Sequence, residues 1–219
     1  MLQSQSSTKS DCGLPMLNLR NLQSAHLNTD PFEYLIVSEF IRPEWEDRLL
    51  VDYPVIEKPG SFPLSTVGIR PHFAKLIDEM NGAEFRSAIE DKFSIDLEGR
   101  PTMFTVRGRC RSSDGKIHTD SETKIITILL YMNPRWENEG GRLRLLRNGT
   151  DIENVAAEVS PTIGTLLAFK RCDHSYHGHL PFEGPRKVIQ MNWVIDEKTV
   201  AREAKRHRWS ATMKRLWSS

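Results

Sequence analysis

The chain has 219 residues, enough for one domain with a substantial core, and no stretch approaches the roughly 20 apolar residues a membrane span needs. Thirty Lys and Arg against 29 Asp and Glu leave a net charge of +1, which excludes nucleic-acid binding through bulk charge. Cys12, Cys110 and Cys172 show no C-x-x-C spacing, so they form neither a disulfide framework nor a zinc cluster; with no apolar signal segment at the start, a reducing cytoplasm is expected.

Residues 1–30 are rich in Ser, Asn, Gln and Thr with scattered leucines and read as a loose N-terminal arm. A single domain is expected over residues 31–196. It opens with a short strand, Tyr34-Leu35-Ile36-Val37. Pro43 then suits the first position of a helix running to Val51, with Glu44, Glu46 and Asp47 at its positive end. Pro71 opens a second helix to Met80, with Phe73, Leu76, Ile77 and Met80 on one face. A third spans residues 83–93 and aligns Phe85, Ala88, Ile89 and Phe93. These helices are expected to buttress a sheet.

From residue 101 to 196 the chain breaks into short runs separated by turn signals such as Asp114-Gly115, Gly140-Gly141 and Gly184-Pro185. The runs are 103–106, 116–118, 125–132, 142–146, 155–159, 165–169, 176–180 and 188–195. About eight strands at this spacing predict a mainly β fold, a jelly roll, with N-terminal buttressing helices. Residues 197–219 form a basic C-terminal tail, helical and capped by Thr199, with Trp209, Met213, Leu216 and Trp217 at helical spacing. Its aromatics would pack on the domain itself or on a second copy in a homodimer.

His118-Thr119-Asp120 places an imidazole and a carboxylate two residues apart, which on a strand aims both at one point. Alone the triplet is common. A second histidine cluster follows in His174-Ser175-Tyr176-His177-Gly178-His179. Two histidines and one carboxylate on one face of a divalent metal leave three positions open, the facial triad of non-haem Fe(II) chemistry. Arg186, in Gly184-Pro185-Arg186-Lys187, offers a guanidinium that grips a carboxylate through paired charge-assisted hydrogen bonds.

The ordered series resembles the 2-oxoglutarate and Fe(II)-dependent oxygenases of the prolyl-hydroxylase-like branch. It comprises His118-Thr119-Asp120, the run Thr127 to Asn133, Trp136 and Gly140-Gly141-Arg142, the segment 159–169, then His177, Pro181, Arg186 and Trp193. The resemblance implies a double-stranded β-helix over about residues 101–196. It implies that His118, Asp120 and His177 bind Fe(II) and are catalytic, and that Arg186 and Tyr131 hold the distal carboxylate of 2-oxoglutarate. The implied reaction uses O2, converts 2-oxoglutarate to succinate and hydroxylates an unactivated C–H bond of an amino-acid, peptidyl or small-metabolite substrate. Asp120 is intact, whereas related halogenases carry a small residue there, so hydroxylation is the expected outcome. His174 and His179 compete for the distal ligand role; the spacings to Pro181 and Arg186 select His177 and leave His179 beside the site. Lys187 competes with Arg186, whose planar fork fits a carboxylate better. Arg107, Arg109 and Arg111 either place three guanidiniums at the pocket mouth, favouring an anionic substrate, or form a solvated face. The rival reading is a cupin-like jelly roll that holds a metal without oxygenase activity.

Overall fold

The computed structural model describes residues 13–202. The element order is α1 (Leu19–Ser24), β1 (Tyr34–Val37), α2 (Pro43–Asp52), β2 (Phe62–Pro63), a 3-10 turn (Leu64–Thr66), α3 (Pro71–Met80) and α4 (Ala83–Phe93). Seven strands follow: β3 (Thr102–Cys110), β4 (Lys124–Tyr131), β5 (Leu143–Leu146), β6 (Val155–Val159), β7 (Leu166–Lys170), β8 (His177–Gly178) and β9 (Gly184–Val194). The helices α2 and α3 start at their prolines, and the preceding residues, Arg42 and Arg70, are extended, as the proline ring demands. Helix α4 stops where Ser94 turns left-handed, at φ 48°.

The strands form two antiparallel sheets, a major one in the order β1-β7-β4-β9-β3-β2 and a minor one in the order β6-β5-β8. Alternation divides the side chains of the central strands between two layers. Ile126, Ile128 and Leu130 of β4, with Ile189, Met191 and Trp193 of β9, join the core beneath the helices. Tyr131 of β4 and Val188 of β9 join a smaller core with Leu143, Leu145, Val159 and Phe169, between the two sheets. Burial on both faces is why residues 125–132 read as a nearly continuous apolar run.

Four expectations change. The arm is not loose from residue 13 onward: Met16 and Leu22 are fully buried, and Glu79 accepts hydrogen bonds from the Met16 and Leu17 amides at 2.7 and 3.1 Å. Its scattered apolar residues are anchors; residues 1–12 lie outside the described residues. Residues 116–118 form no strand, because the chain turns at Gly115 (φ +86°) and meets the sheet only through a bridge between His118 and His177. Gly184-Pro185 opens β9 instead of forming a turn before it. Residues 197–202 are helical, but the cap is Asp196, whose Oδ1 accepts from the Thr199 amide and hydroxyl, both at 2.8 Å. Trp209, Met213, Leu216 and Trp217 lie outside the described residues. Strand β2 was not expected; its Pro63 is tolerated because β2 is an edge strand. Among the described residues no helix is long and apolar enough to cross a membrane.

Candidate metal centre

His118 and Asp120 sit in the loop between β3 and β4, and His177 opens β8. The His118 amide donates to the His177 carbonyl at 3.0 Å and the His177 amide returns the bond at 2.9 Å. This reciprocal pair sets the two residues directly opposite each other, with ring centroids 4.3 Å apart. The candidate ligand atoms of His118, Asp120 and His177 then lie within 4.8 Å of one another, the one such grouping of three or more ligand-type side chains found among the described residues.

Each imidazole is held by a carbonyl. His118 Nδ1 lies 2.8 Å from the Lys116 oxygen, and His177 Nδ1 lies 2.9 Å from the Ser175 oxygen. A carbonyl can only accept, so Nδ1 carries the proton and, in a neutral ring, Nε2 presents a bare lone pair. For His177 neutrality follows from its surroundings: burial, with the adjacent His118, pushes its pKa down to about 4 although Asp120 opposes the shift.

Asp120 is held more tightly. Thr127 of β4 donates to its Oδ2 at 2.5 Å, Asn192 of β9 donates to the Thr127 hydroxyl at 2.7 Å, and Gln190 donates to Asn192 at 3.0 Å. Lys124 Nζ lies 2.7 Å from Asp120 Oδ1. Burial pushes the Asp120 carboxyl up, but Lys124, His177 and the two side-chain hydrogen bonds outweigh it and hold the carboxyl below its usual range. Thr127, Asn192 and Lys124 were missed from the sequence. Thr127 and Asn192 share strand parity with Tyr131 and Arg186, which is their signal; Lys124 gives none, because the β4–β9 register shifts between it and Ile126.

A cavity of about 130 Å³ is lined by His118, Asp120 and His177 and by Arg186, His179 and Arg107. Arg186 is 5% exposed; its Nε donates to the Gly141 carbonyl at 2.7 Å, and no carboxylate pairs with it among the described residues. Gly140-Gly141 makes this contact possible. Gly141 has φ +78°, a Cβ there would come within 2.7 Å of Trp136, and a Cβ on Gly140 would strike the Pro181 carbonyl. The Arg186 guanidinium carbon lies 5.3 Å from the centre of the Tyr131 ring. Tyr131 is fully buried, and its hydroxyl has no acceptor among the described residues, since Arg186 offers donors only. Lys187 points elsewhere, with Nζ 5.4 Å from the Tyr53 ring.

The other candidates separate. His174 is exposed. His179 is buried, packs over Gly115 and donates Nδ1–H to the Leu180 carbonyl at 2.8 Å; burial and Arg186 bring its pKa down to about 4. The three guanidiniums do not act as a set: Arg107 lines the cavity but pairs with Asp114 at 2.9 Å, Arg111 is exposed, and Arg109 does not line the cavity.

Two imidazoles and a carboxylate suit a ferrous ion. An uncompensated buried guanidinium beside a phenol lacking an acceptor suits a carboxylate. Both features fit iron and 2-oxoglutarate. No curated protein matches the chain. Among solved structures, the fold is similar to a prolyl-4-hydroxylase from Pseudomonas putida, with TM-score 0.53 and 15% identity over 81% of this chain and 93% of that one. It is similar to the viral collagen prolyl hydroxylase of Paramecium Bursaria Chlorella virus-1 in complex with 2-oxoglutarate, with TM-score 0.53 and 15% identity over 74% and 96%. HygX from Streptomyces hygroscopicus, with nickel and 2-oxoglutarate bound, gives TM-score 0.51 and 12% identity over 75% and 82%. The family model of the 2OG-Fe(II) oxygenase superfamily matches residues 108–195, which contain all three residues of the grouping together with Tyr131 and Arg186. Residues 108–195 therefore match the 2OG-Fe(II) oxygenase superfamily, and the fold that carries them is prolyl-hydroxylase-like, with a His-Asp-His grouping inside the matched segment.

Proposed function

We propose that His118, Asp120 and His177 hold the iron, that Arg186 and Tyr131 receive the distal carboxylate of 2-oxoglutarate, and that the enzyme hydroxylates an unactivated C–H bond of a peptidyl or small-molecule substrate. The observation that carries this reading is the buried Arg186 guanidinium with no carboxylate partner among the described residues, in a cavity it shares with the triad. A buried charge costs several kcal/mol unless a counter-charge meets it. A metal-binding jelly roll without oxygenase chemistry needs no such cation, so the cupin-like reading gains no support.

When bound, iron and 2-oxoglutarate supply the oxidative decarboxylation to succinate and CO2 that drives the hydroxylation. The chain supplies orientation. The Lys116 and Ser175 carbonyls fix the imidazole tautomers, and the bonds from Thr127 and Lys124 fix the carboxylate. Leu129, Leu143 and Val188 form an apolar wall of the smaller cavity that limits water at the keto acid. Tyr131 would donate a hydrogen bond to the ligand carboxylate and Arg186 would neutralise it. The prolyl hydroxylases that share the fold make hydroxylation the favoured outcome.

The full chain with Fe(II), 2-oxoglutarate, O2 and pooled amino acids, small acids and peptides should release succinate. Asp120→Ala and His177→Ala should release none while keeping the circular dichroism of the parent. Succinate release by either variant at the parent rate would overturn the ligand assignment.

A further inference from the structure

A second cavity, of about 350 Å³, adjoins the triad and shares His118, Asp120 and Gln190 with the smaller one. Its volume lies at the small end for ligand sites. Its wall is polar: Ser61, Thr105, Thr123, Lys124, Gln190 and Asn192 contribute, and no Phe, Tyr or Trp does among the described residues. Such a wall suits a ligand with several hydrogen-bonding groups and offers little to an apolar ring. Gln190 lines both cavities and commits its amide nitrogen to Asn192, so its side-chain oxygen is the group it has to offer a ligand as an acceptor.

The charges narrow the ligand further. Among the residues lining the two cavities, the cations are Arg107, Arg186 and Lys124, and the acid is Asp120. Arg107 is neutralised by Asp114. With the cofactors bound, the ferrous dication, the Asp120 carboxylate, the 2-oxoglutarate dianion and Arg186 sum to zero. Lys124 is then the cation left over. Its side chain is only 15% exposed, and its present partner, Asp120, is the carboxylate already counted against the metal. A largely buried ammonium in this position calls for one more negative charge.

We propose that the larger cavity binds a small polar carboxylate of the free amino-acid or hydroxy-acid class, its carboxylate on Lys124 and its other polar groups on Thr105 and Gln190. This rests on the assignment of the triad and Arg186 above, and the experiment keeps the two apart. The full chain is loaded with Zn(II), which cannot turn over, and 2-oxoglutarate, and ligand-observed saturation-transfer NMR is recorded. In the first arm, 2-oxoglutarate itself must give a signal that Arg186→Gln removes; its absence would sink the parent assignment. In the second arm, a panel of free amino acids and hydroxy acids is compared with their primary amides and with a prolyl peptide. At least one acid should bind about tenfold or more tighter than its amide, a loss typical of a charge-assisted bond. Lys124→Met should abolish that preference, and Lys124→Arg should restore it in part. The proposal fails if 2-oxoglutarate binds but every acid is silent, if amides or the peptide bind better, or if Lys124→Met changes nothing.

Discussion

Strands β4 and β9 each face two ways, and the two faces do different work. Toward the helices they present Ile126, Ile128, Leu130, Ile189, Met191 and Trp193, all at most 2% exposed, packed on residues such as Phe85. Toward the minor sheet the same strands present Thr127, Gln190 and Asn192, joined by directional bonds, and Tyr131 with Arg186 over its ring. The first face gains its free energy from area and tolerates small shifts. The second consists of polar groups whose cost is offset only when every partner is in place. One sheet carries both because the apolar layer pins the backbone from which the polar layer projects.

The widest separation between the faces should come from Phe85→Ala. Removing this fully buried ring from beside Phe40 and Trp193 should cost about 3–5 kcal/mol and lower the melting temperature by roughly 10 °C, leaving 2-oxoglutarate affinity of the folded protein unchanged. A large loss of affinity would show that the layers are not separable. Arg186→Gln should do the reverse, raising the 2-oxoglutarate KM about 10²–10³-fold, while Lys187→Ala, whose side chain lies against Tyr53, should change it less than about threefold. Equal effects would erase the distinction that strand parity draws.

Acid should probe the polar face next. His177 and His179 titrate near 4 in the folded chain and near 6.5 when unfolded. Above about pH 6.5 both are neutral in either state; between 6.5 and 4 the unfolded chain takes up protons that the folded chain refuses, so stability falls as pH falls. The metal-free protein should lose a few kcal/mol across this window in denaturant titrations, and His179→Gln should flatten the slope. The smallest expected effect is that of Thr127→Val, which cuts the link from Asn192 to Asp120 and should weaken Fe(II) binding about 10–100-fold without lowering the melting temperature by more than a few degrees. Anaerobic metal titration decides it.

The same contrast explains what the sequence revealed. Helices α2, α3 and α4 were legible almost to the residue, because prolines and apolar spacing are local signals. His118, Asp120 and His177 were legible as residue types in an order, although the strand expected to carry the first two is a loop. Thr127 and Asn192 were not legible as parts of the site: their link depends on the register that sets Asn192 opposite Thr127, residues far apart in sequence. The preference for Arg186 over Lys187 rested on side-chain shape, whereas the structure separates them by the face each occupies. They lie where the β3–β9 register slips, opposite Gly108, so counting along the strand was an unsafe guide there.

Gly141 meets Arg186 only through a backbone oxygen, yet that oxygen steadies the guanidinium on which keto-acid recognition is proposed to depend. Trp136 and Phe182, with ring centroids 4.7 Å apart and planes tilted by 54°, flank the glycine from the loop side. Affinity for the co-substrate is thus open to adjustment from a surface loop, without any change to the residues that would touch it.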